Sequence, residues 1–320
     1  MEMCGKDFKK DLYLYYSNTH IVYYTSGLNN YIPVRINQFH IIVCKRNKTN
    51  AVIKNLITGE SKTFSVSELI DNPGVYYLWR YQRSGTSTAK SAIAGQTICN
   101  GYFSTDEDDE KVLDWYKKQY PWLFFDQAWT VVGKTNEDED RATIANITGN
   151  GNDLVLSNFG FIEGSGYNEE GEYAGYLVTD GVDDSGRAVR LTISKDFTLV
   201  GEWILFSKTS VNAGLSIHPQ IHIFNRPEVI QIIFRTAGKT LPVKSLKAIC
   251  SDGRCYDENW SELKINVGEF TDNKGNLFVA SNGTNYAQIA FKNLGIYNDQ
   301  LLSKDDCIKA YNYLQTLKAK

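Results

Sequence analysis

Three aspartates, Asp180, Asp183 and Asp184, crowd with Gly181 and Gly186 into "DGVDDSG", between two apolar alternating runs. Hard carboxylate oxygens in a loop suit Ca²⁺. The same side chains also accept backbone N–H groups and so stabilise turns. The turn role is the expected one, and no metal site is assigned.

Other residue sets invite chemistry and then lose it on spacing. Glycoside hydrolysis needs two carboxylates roughly 5–9.5 Å apart, one acting as acid and the other as base or nucleophile. The nearest acidic cluster, Glu169, Glu170 and Glu172, lies in a Gly-rich loop rather than on an alternating strand. His218 and His222 in "HPQIH" have the i, i+4 spacing of a helical metal pair. Pro219 opposes a helix interior, and on one extended strand the rings stand about 13 Å apart. No Gly-x-Ser-x-Gly elbow is present, and "GNGN" (149–152) and "GSG" (164–166) lead into strands rather than helices, unlike a phosphate-binding loop. No catalytic, cofactor-binding or metal-binding residue is therefore assigned, and no cofactor is expected. Tyr256 and Trp260 in "CYDENW" suit stacking on sugar rings, or anchoring in a core or interface.

Six cysteines, Cys4, Cys44, Cys99, Cys250, Cys255 and Cys307, are spread along the chain with no zinc-knuckle spacing. Reduced, mostly buried thiols are expected, with a Cys250–Cys255 bridge across a turn as the alternative.

The elements that must position these groups are mostly strands. Tyr, Trp, Phe, Thr and Gly are abundant and Met is scarce, the palette of pleated sheets and turns. Leu12–Tyr16, Ile21–Tyr24, Phe39–Cys44 and "VYYLWRY" (75–81) read as short strands. Residues 51–66 read as a hairpin turning at Gly59. The small, polar stretch 84–96 reads as a linker. A helix follows, capped by Ser104 or Thr105, with acids at its positive end, Lys117 and Lys118 at the other, and Pro121 as its stop. "YPWLFFDQAW" (120–129) reads as an aromatic plug between domains, with an exposed partner surface as the alternative. Beyond the aspartate corner, strand follows strand until Ser303 and Asp306 open an amphipathic helix with the stripe Cys307, Ile308, Tyr311, Leu314 and Leu317.

The pattern predicts a mainly β chain in three parts. Residues 1–100 form a small β-sandwich or barrel, 101–150 a helical and aromatic connector, and 151–320 a two-sheet jelly roll with a terminal helix. Net charge is −3 with both signs interspersed, so no basic stripe for nucleic acid exists. No run reaches the roughly 18 apolar residues of a membrane span. The N-terminal residues carry no secretory h-region, so the chain is expected to be made, and at first kept, in a cytoplasm.

Two passages carry a resemblance. "LVTDGVDDSGRAVRLTISKDFTLVGEWI" resembles the opening of a LamG-like, concanavalin A-like jelly roll, through Asp180, Gly181, Asp184, Phe197, Thr198 and Trp203. "FKNLGIYNDQLLSKDDCIKAYNYL" is similar to that family's closing strand and helix, through Tyr297, Asn298, Leu301 or Leu302, Ser303 and Asp306. Thr179 and Ser185-Gly186 depart from its usual aromatics, so the resemblance carries over the fold and no ligand site. Glucanases of this fold place their acids on one strand as Glu-x-Asp-x-x-Glu, a pattern missing here. The texture of "WYKKQYPWLFFDQAW", followed by "TIANITGNGNDLVLSNFGF", resembles virion proteins of crAss-like phages that infect gut Bacteroidales.

These resemblances imply a non-enzymatic virion protein of the phage tail or capsid exterior. It is expected to attach by its N-terminal region and present a lectin-like jelly roll for assembly or host-glycan contact. The expected partners are other virion proteins, further copies of itself and a host surface glycan, without nucleic acid or membrane insertion. The competing expectation is a free carbohydrate-binding protein or glycan hydrolase of the same fold.

Overall fold

A computed structural model of the chain describes residues 2–4, 13–17, 20–25, 28–34, 39–46, 50–65, 105–149, 152–206, 214–218, 221–226, 229–234, 237–243, 245–267, 270, 273–282 and 285–319. The strand expected at 75–81, the linker expected at 84–96 and Cys99 lie outside them. The chain divides into two compact units, Met1–Gln119 and Tyr120–Lys320. The segment expected as a connector is shared between them, its helix in the first and its aromatic run in the second.

The first unit has two antiparallel sheets among the described residues. Strands β1 (Glu2–Cys4), β2 (Tyr13–Ser17), β3 (His20–Thr25) and β4 (Leu28–Pro33) form a meander in that order. Strands β5 (Ile42–Arg46), β6 (Asn50–Asn55) and β7 (Ser61–Ser65) form the second sheet, with Gly59 at φ +74° in the turn between the last two. Ile32 and Val34 pack with Ala51 and Ile53 to join the sheets. Helix α1 (Asp106–Gln119) is capped by Thr105, whose hydroxyl accepts from Asp108 N while the Asp108 carboxylate accepts from Thr105 N at 2.8 Å. Its buried Asp109 meets the equally buried Lys45 of β5 at 2.7 Å.

The second unit is a two-sheet antiparallel sandwich of jelly-roll type, so the mainly β fold read from the sequence is the fold observed. Its strands are β8 (Gln127–Thr130), β9 (Thr143–Ile144), β10 (Leu154–Ser157), β11 (Gly166–Asn168), β12 (Tyr176–Val178), β13 (Ser185–Ile193), β14 (Phe197–Leu205) and β15 (Gly214–His218). They continue as β16 (Ile221–Arg226), β17 (Val229–Phe234), β18 (Ala237–Leu241), β19 (Leu246–Cys250), β20 (Arg254–Asp257), β21 (Glu262–Lys264), β22 (Asn273–Val279) and β23 (Ile289–Asn298), followed by helix α2 (Lys304–Thr316). One sheet runs β18-β17-β16-β15-β22-β13-β10-β9. The other runs β11-β12-β23-β14-β19-β20-β21, with β8 added beside β23.

Alternation along each strand decides which residues face inward. Leu199, Trp203 and Phe291 from one sheet meet Leu191, Ile223 and Leu277 from the other, all essentially inaccessible. The opposite face of the β14–β23 sheet is also apolar in part, and α2 covers it. Val200, Ala248, Cys250 and Tyr297 of the sheet pack against Cys307, Ala310 and Leu314 of the helix. Ser303 caps α2 by accepting from Asp306 N at 3.1 Å, as its spacing predicts. Gly295 lies directly beneath the helix, where a Cβ would stand 3.2 Å from Leu314 Cδ1. The aromatic run 120–129 belongs to this unit: Trp129 is in the sandwich core, and Trp122 and Phe125 pack beside α2. No helix among the described residues is long and apolar enough to cross a membrane.

Candidate functional site

At the aspartate corner, β12 leads in and β13 leads out. Asp184 is buried, and its carboxylate accepts from Asp180 N at 2.8 Å and from the Ser165 hydroxyl at 3.1 Å. Asp180 Oδ1 accepts from Val182 N at 2.7 Å. Thr179, where relatives of the resembled family carry an aromatic, is buried and donates to the Ala287 carbonyl at 2.8 Å. The three carboxylates do converge, each offering an oxygen within 4.8 Å of the others. Two of the three accept hydrogen bonds from backbone donors. Burial, with Asp180 and Asp183 beside it, pushes the Asp184 carboxyl above the usual carboxylate range, against the pull of its hydrogen bonds. The corner is a hydrogen-bonded turn.

The other sequence candidates scatter. Glu169, Glu170 and Glu172 are exposed in the turn between β11 and β12. His218 and His222 lie on β15 and β16, two paired strands whose register sets Ser216 opposite His222 and Ile217 opposite Ile221. The two histidines therefore stand on two paired strands rather than on the single extended strand assumed for "HPQIH". The His222 ring stacks on Phe224. Tyr256 is core, whereas Trp260 is half-buried beside α2.

A different set of groups converges on the outward face of the β14–β23 sheet, next to α2. Glu202 of β14 is its centre. The Tyr176 hydroxyl of β12 donates to Glu202 Oε1, and Lys292 Nζ of β23 lies 3.4 Å from Oε2. Tyr311 of α2 stands near the same carboxylate, whose charge reaches its phenol. Lys247 of β19 lies over the Tyr311 ring at 4.8 Å and the Trp260 ring at 5.5 Å, and Lys292 lies over the Tyr176 ring at 5.2 Å. Trp260 meets Tyr311 edge-on at 5.5 Å.

Two β-bulges build this face. Glu202 pairs with Asn293 and Trp203 with Phe291, so Lys292 is an extra residue in β23. Leu246 pairs with Asp257 and Ala248 with Tyr256, so Lys247 is an extra residue in β19. A bulge re-aims a side chain that strict alternation would send elsewhere, and bulges concentrate near functional sites. Trp260 is held at φ +62°, a left-handed backbone that a bulky residue adopts at a cost of about 1–3 kcal/mol. Asp257 fixes that turn: its carbonyl accepts from Trp260 N, and its Oδ1 accepts from Asn259 N and Ser261 N at 2.8 and 2.7 Å. Asn293, in register with Glu202, is fully buried, and neither of its amide atoms has a hydrogen-bond partner among the described residues. Such a group costs about 1–3 kcal/mol.

Burial, then the Glu202 hydrogen bond, pushes the Tyr176 phenol well above its ordinary range. Burial and the Glu202 charge do the same to Tyr311. Both phenols therefore stay protonated donors at neutral pH. The face presents half-buried aromatic rings, two ammonium groups and one carboxylate. Of these residues the sequence reading singled out Trp260, and Tyr311 as part of the helix stripe. Glu202, Tyr176, Lys247 and Lys292 are far apart in the chain, and nothing local marks a bulge.

No family model matches the sequence, and no curated protein matches it. Among solved structures the chain is similar to a sialidase of Trypanosoma rangeli at 7% identity and a TM-score of 0.42, covering 98% of this chain and 62% of the sialidase. The same enzyme in complex with sialic acid gives 8% and 0.39 over the same spans. The receptor-binding domain of botulinum neurotoxin type G is similar at 11% identity and a TM-score of 0.35, covering 59% of this chain and 51% of that domain. The chain thus spans less than two thirds of the sialidase. The expectation that the protein is not an enzyme is corrected by these neighbours, because sialidases are glycosidases. A likeness of this depth assigns no activity, and the non-enzymatic assignment is withdrawn.

Proposed function

We propose that the second unit is a glycan-binding sandwich whose site is the outward face around Glu202. The observation that carries this reading is the pair of β-bulges that bring Lys247 and Lys292 to the face holding Glu202, Tyr176, Tyr311 and the strained Trp260. A sugar ring presents apolar C–H faces and a rim of hydroxyl groups. Half-buried aromatic rings suit the first, and a carboxylate with fixed donors suits the second. We further propose that the protein sits on the exterior of a phage particle as a LamG-like module that assembles with itself or other virion proteins and contacts host glycan. This reading is supported by the sequence resemblances at 177–204, 291–314 and the aromatic run.

The tests are separable. Screening the full chain against immobilised bacterial surface glycans is expected to give binding that Trp260→Ala abolishes. Undiminished binding by that variant moves the site elsewhere. Mass spectrometry of purified particles is expected to find the chain at fixed stoichiometry, and its absence removes the virion role while leaving the glycan site standing.

A further inference from the structure

Lys247 is a half-buried cation that the fold holds in place and leaves without a counter-charge. Its ammonium lies over the Tyr311 ring at 4.8 Å and the Trp260 ring at 5.5 Å, and among the described residues these two π faces are the only partners it has. The neighbouring acids are engaged elsewhere. Glu202 is taken by Lys292 and by the Tyr176 hydroxyl. Asp257, in register with Leu246, accepts from Asn259 N and Ser261 N.

A lysine that merely lays its stem on apolar surface and its head in water needs neither of two irregularities found here. The bulge between Leu246 and Ala248 inserts Lys247 as an extra residue and re-aims it. The left-handed backbone of Trp260 sets its indole edge-on to Tyr311, so both rings border the same ammonium. Strain of this kind collects where a ligand is clamped. Both irregularities act on one compact point charge, which the protein itself does not neutralise.

We infer that Lys247 recognises an acid group on the rim of a sugar, so that the glycan of this face is anionic, either carboxylated or sulfated, a recognition that rests on the glycan reading given above. The C–H face of the sugar ring packs on Trp260, the acid group accepts charge-assisted hydrogen bonds from Lys247 Nζ, and hydroxyls on another edge donate to Glu202. Glu202 does not repel such a sugar, because Lys292 stands 3.4 Å from it and offsets its charge. Of the two ammonium groups on the face, Lys292 serves the carboxylate of the protein and Lys247 serves that of the ligand. A neutral sugar would leave Lys247 with its π contacts alone.

The test binds the full chain to immobilised bacterial surface glycans in three portions: untreated, carboxyl-reduced and desulfated. The glycan bound most tightly untreated is expected to lose at least ~10-fold in affinity after one of the two treatments, and that treatment tells carboxylate from sulfate. Lys247→Met keeps an aliphatic stem over the rings. It is expected to bind the untreated glycan only as well as wild type binds the treated one, with the treated one bound as before. Lys247→Gln gives the same comparison with a polar head, so the outcome does not hang on the folding of one variant. Lys274→Met, at an exposed position of β22 in the other sheet, is expected to change neither affinity. Undiminished binding after both treatments overturns the acid recognition and leaves the glycan site standing. A full preference for the untreated glycan in both Lys247 variants overturns the role of Lys247. Binding to none of the three portions overturns the glycan reading as well.

Discussion

The docking of α2 on the sheet lends itself to a quantitative test at Gly295 and Leu314. Leu314 is fully buried, and its two terminal methyls would stand 3.2 and 3.5 Å from a Cβ built on Gly295. Leu314→Ala removes three buried carbons and leaves a cavity under the helix, a cost of about 3 kcal/mol from the range for such truncations. Gly295→Ala adds one methyl where the neighbour must give by a few tenths of an ångström. Leu314 is hemmed in by the packed helix, so overpacking is expected to cost about 1 kcal/mol. In the double variant the new methyl enters the space that Leu314 vacated. The combined loss is then about 2–3 kcal/mol rather than the additive ~4, a coupling well above the few tenths seen between independent sites. Urea titrations followed by tryptophan fluorescence, with each unit fitted as its own transition, supply the three values. Additive losses, or a Gly295→Ala variant as stable as wild type, would refute the close contact from which the magnitudes are worked.

Three further outcomes follow from the same reasoning. Lys45→Met removes the 2.7 Å partner of buried Asp109 and leaves Lys54 at 3.3 Å. The first unit is expected to lose about 2–3 kcal/mol, below the usual cost of a broken buried pair, in a denaturation experiment. Gly253→Ala forces a methyl onto the Ile265 carbonyl oxygen at a backbone with φ +89°, and a loss above about 3 kcal/mol in the second unit is expected. The raised phenols of Tyr176 and Tyr311 favour the protonated form in the fold, so their contribution is complete below the ordinary phenol value near pH 10 and is lost as pH rises through the folded values. Stability is therefore expected to fall above about pH 10, and less steeply in Tyr176→Phe/Tyr311→Phe, when unfolding is measured across alkaline pH.

Much of the scaffold was legible because local chemistry dictates it. Alternation in "FTLVGEWIL" and the apolar run "IAFKNLGIYN" marked β14 and β23, Ser104 or Thr105 marked one helix start and Ser303 the other, and Gly59 marked a turn. The aspartates at 180–184 read as turn-holders because Asp competes for backbone donors, and two of them accept such bonds. Pairing at long range was not legible. The i, i+4 spacing in "HPQIH" suggested a helix or one extended strand, and only the register of β15 against β16 shows that the two histidines lie on different strands. Glu202 alternates outward like any solvated residue on a strand. Its importance depends on Tyr176, Lys292 and Tyr311, which meet it only after β12, β23 and α2 have assembled. Lys247 and Lys292 gain their direction from bulges that exist only against partner strands. Cys250 and Cys255 read as reduced, buried thiols with a bridge between them as the alternative, and strand alternation sends them to opposite faces of β19–β20, Cys250 toward the helix.

The most direct test of the central claim is the binding isotherm of the full chain for the glycan that binds most tightly in the screen, compared with Glu202→Gln and Trp260→Ala under the same conditions. Glu202→Gln keeps the shape of the side chain and removes the charge that Tyr176, Tyr311 and Lys292 converge on. The account predicts that affinity falls at least ~10-fold in each variant, about 1.4 kcal/mol, while Tm changes little. Unchanged affinity in both variants would contradict it.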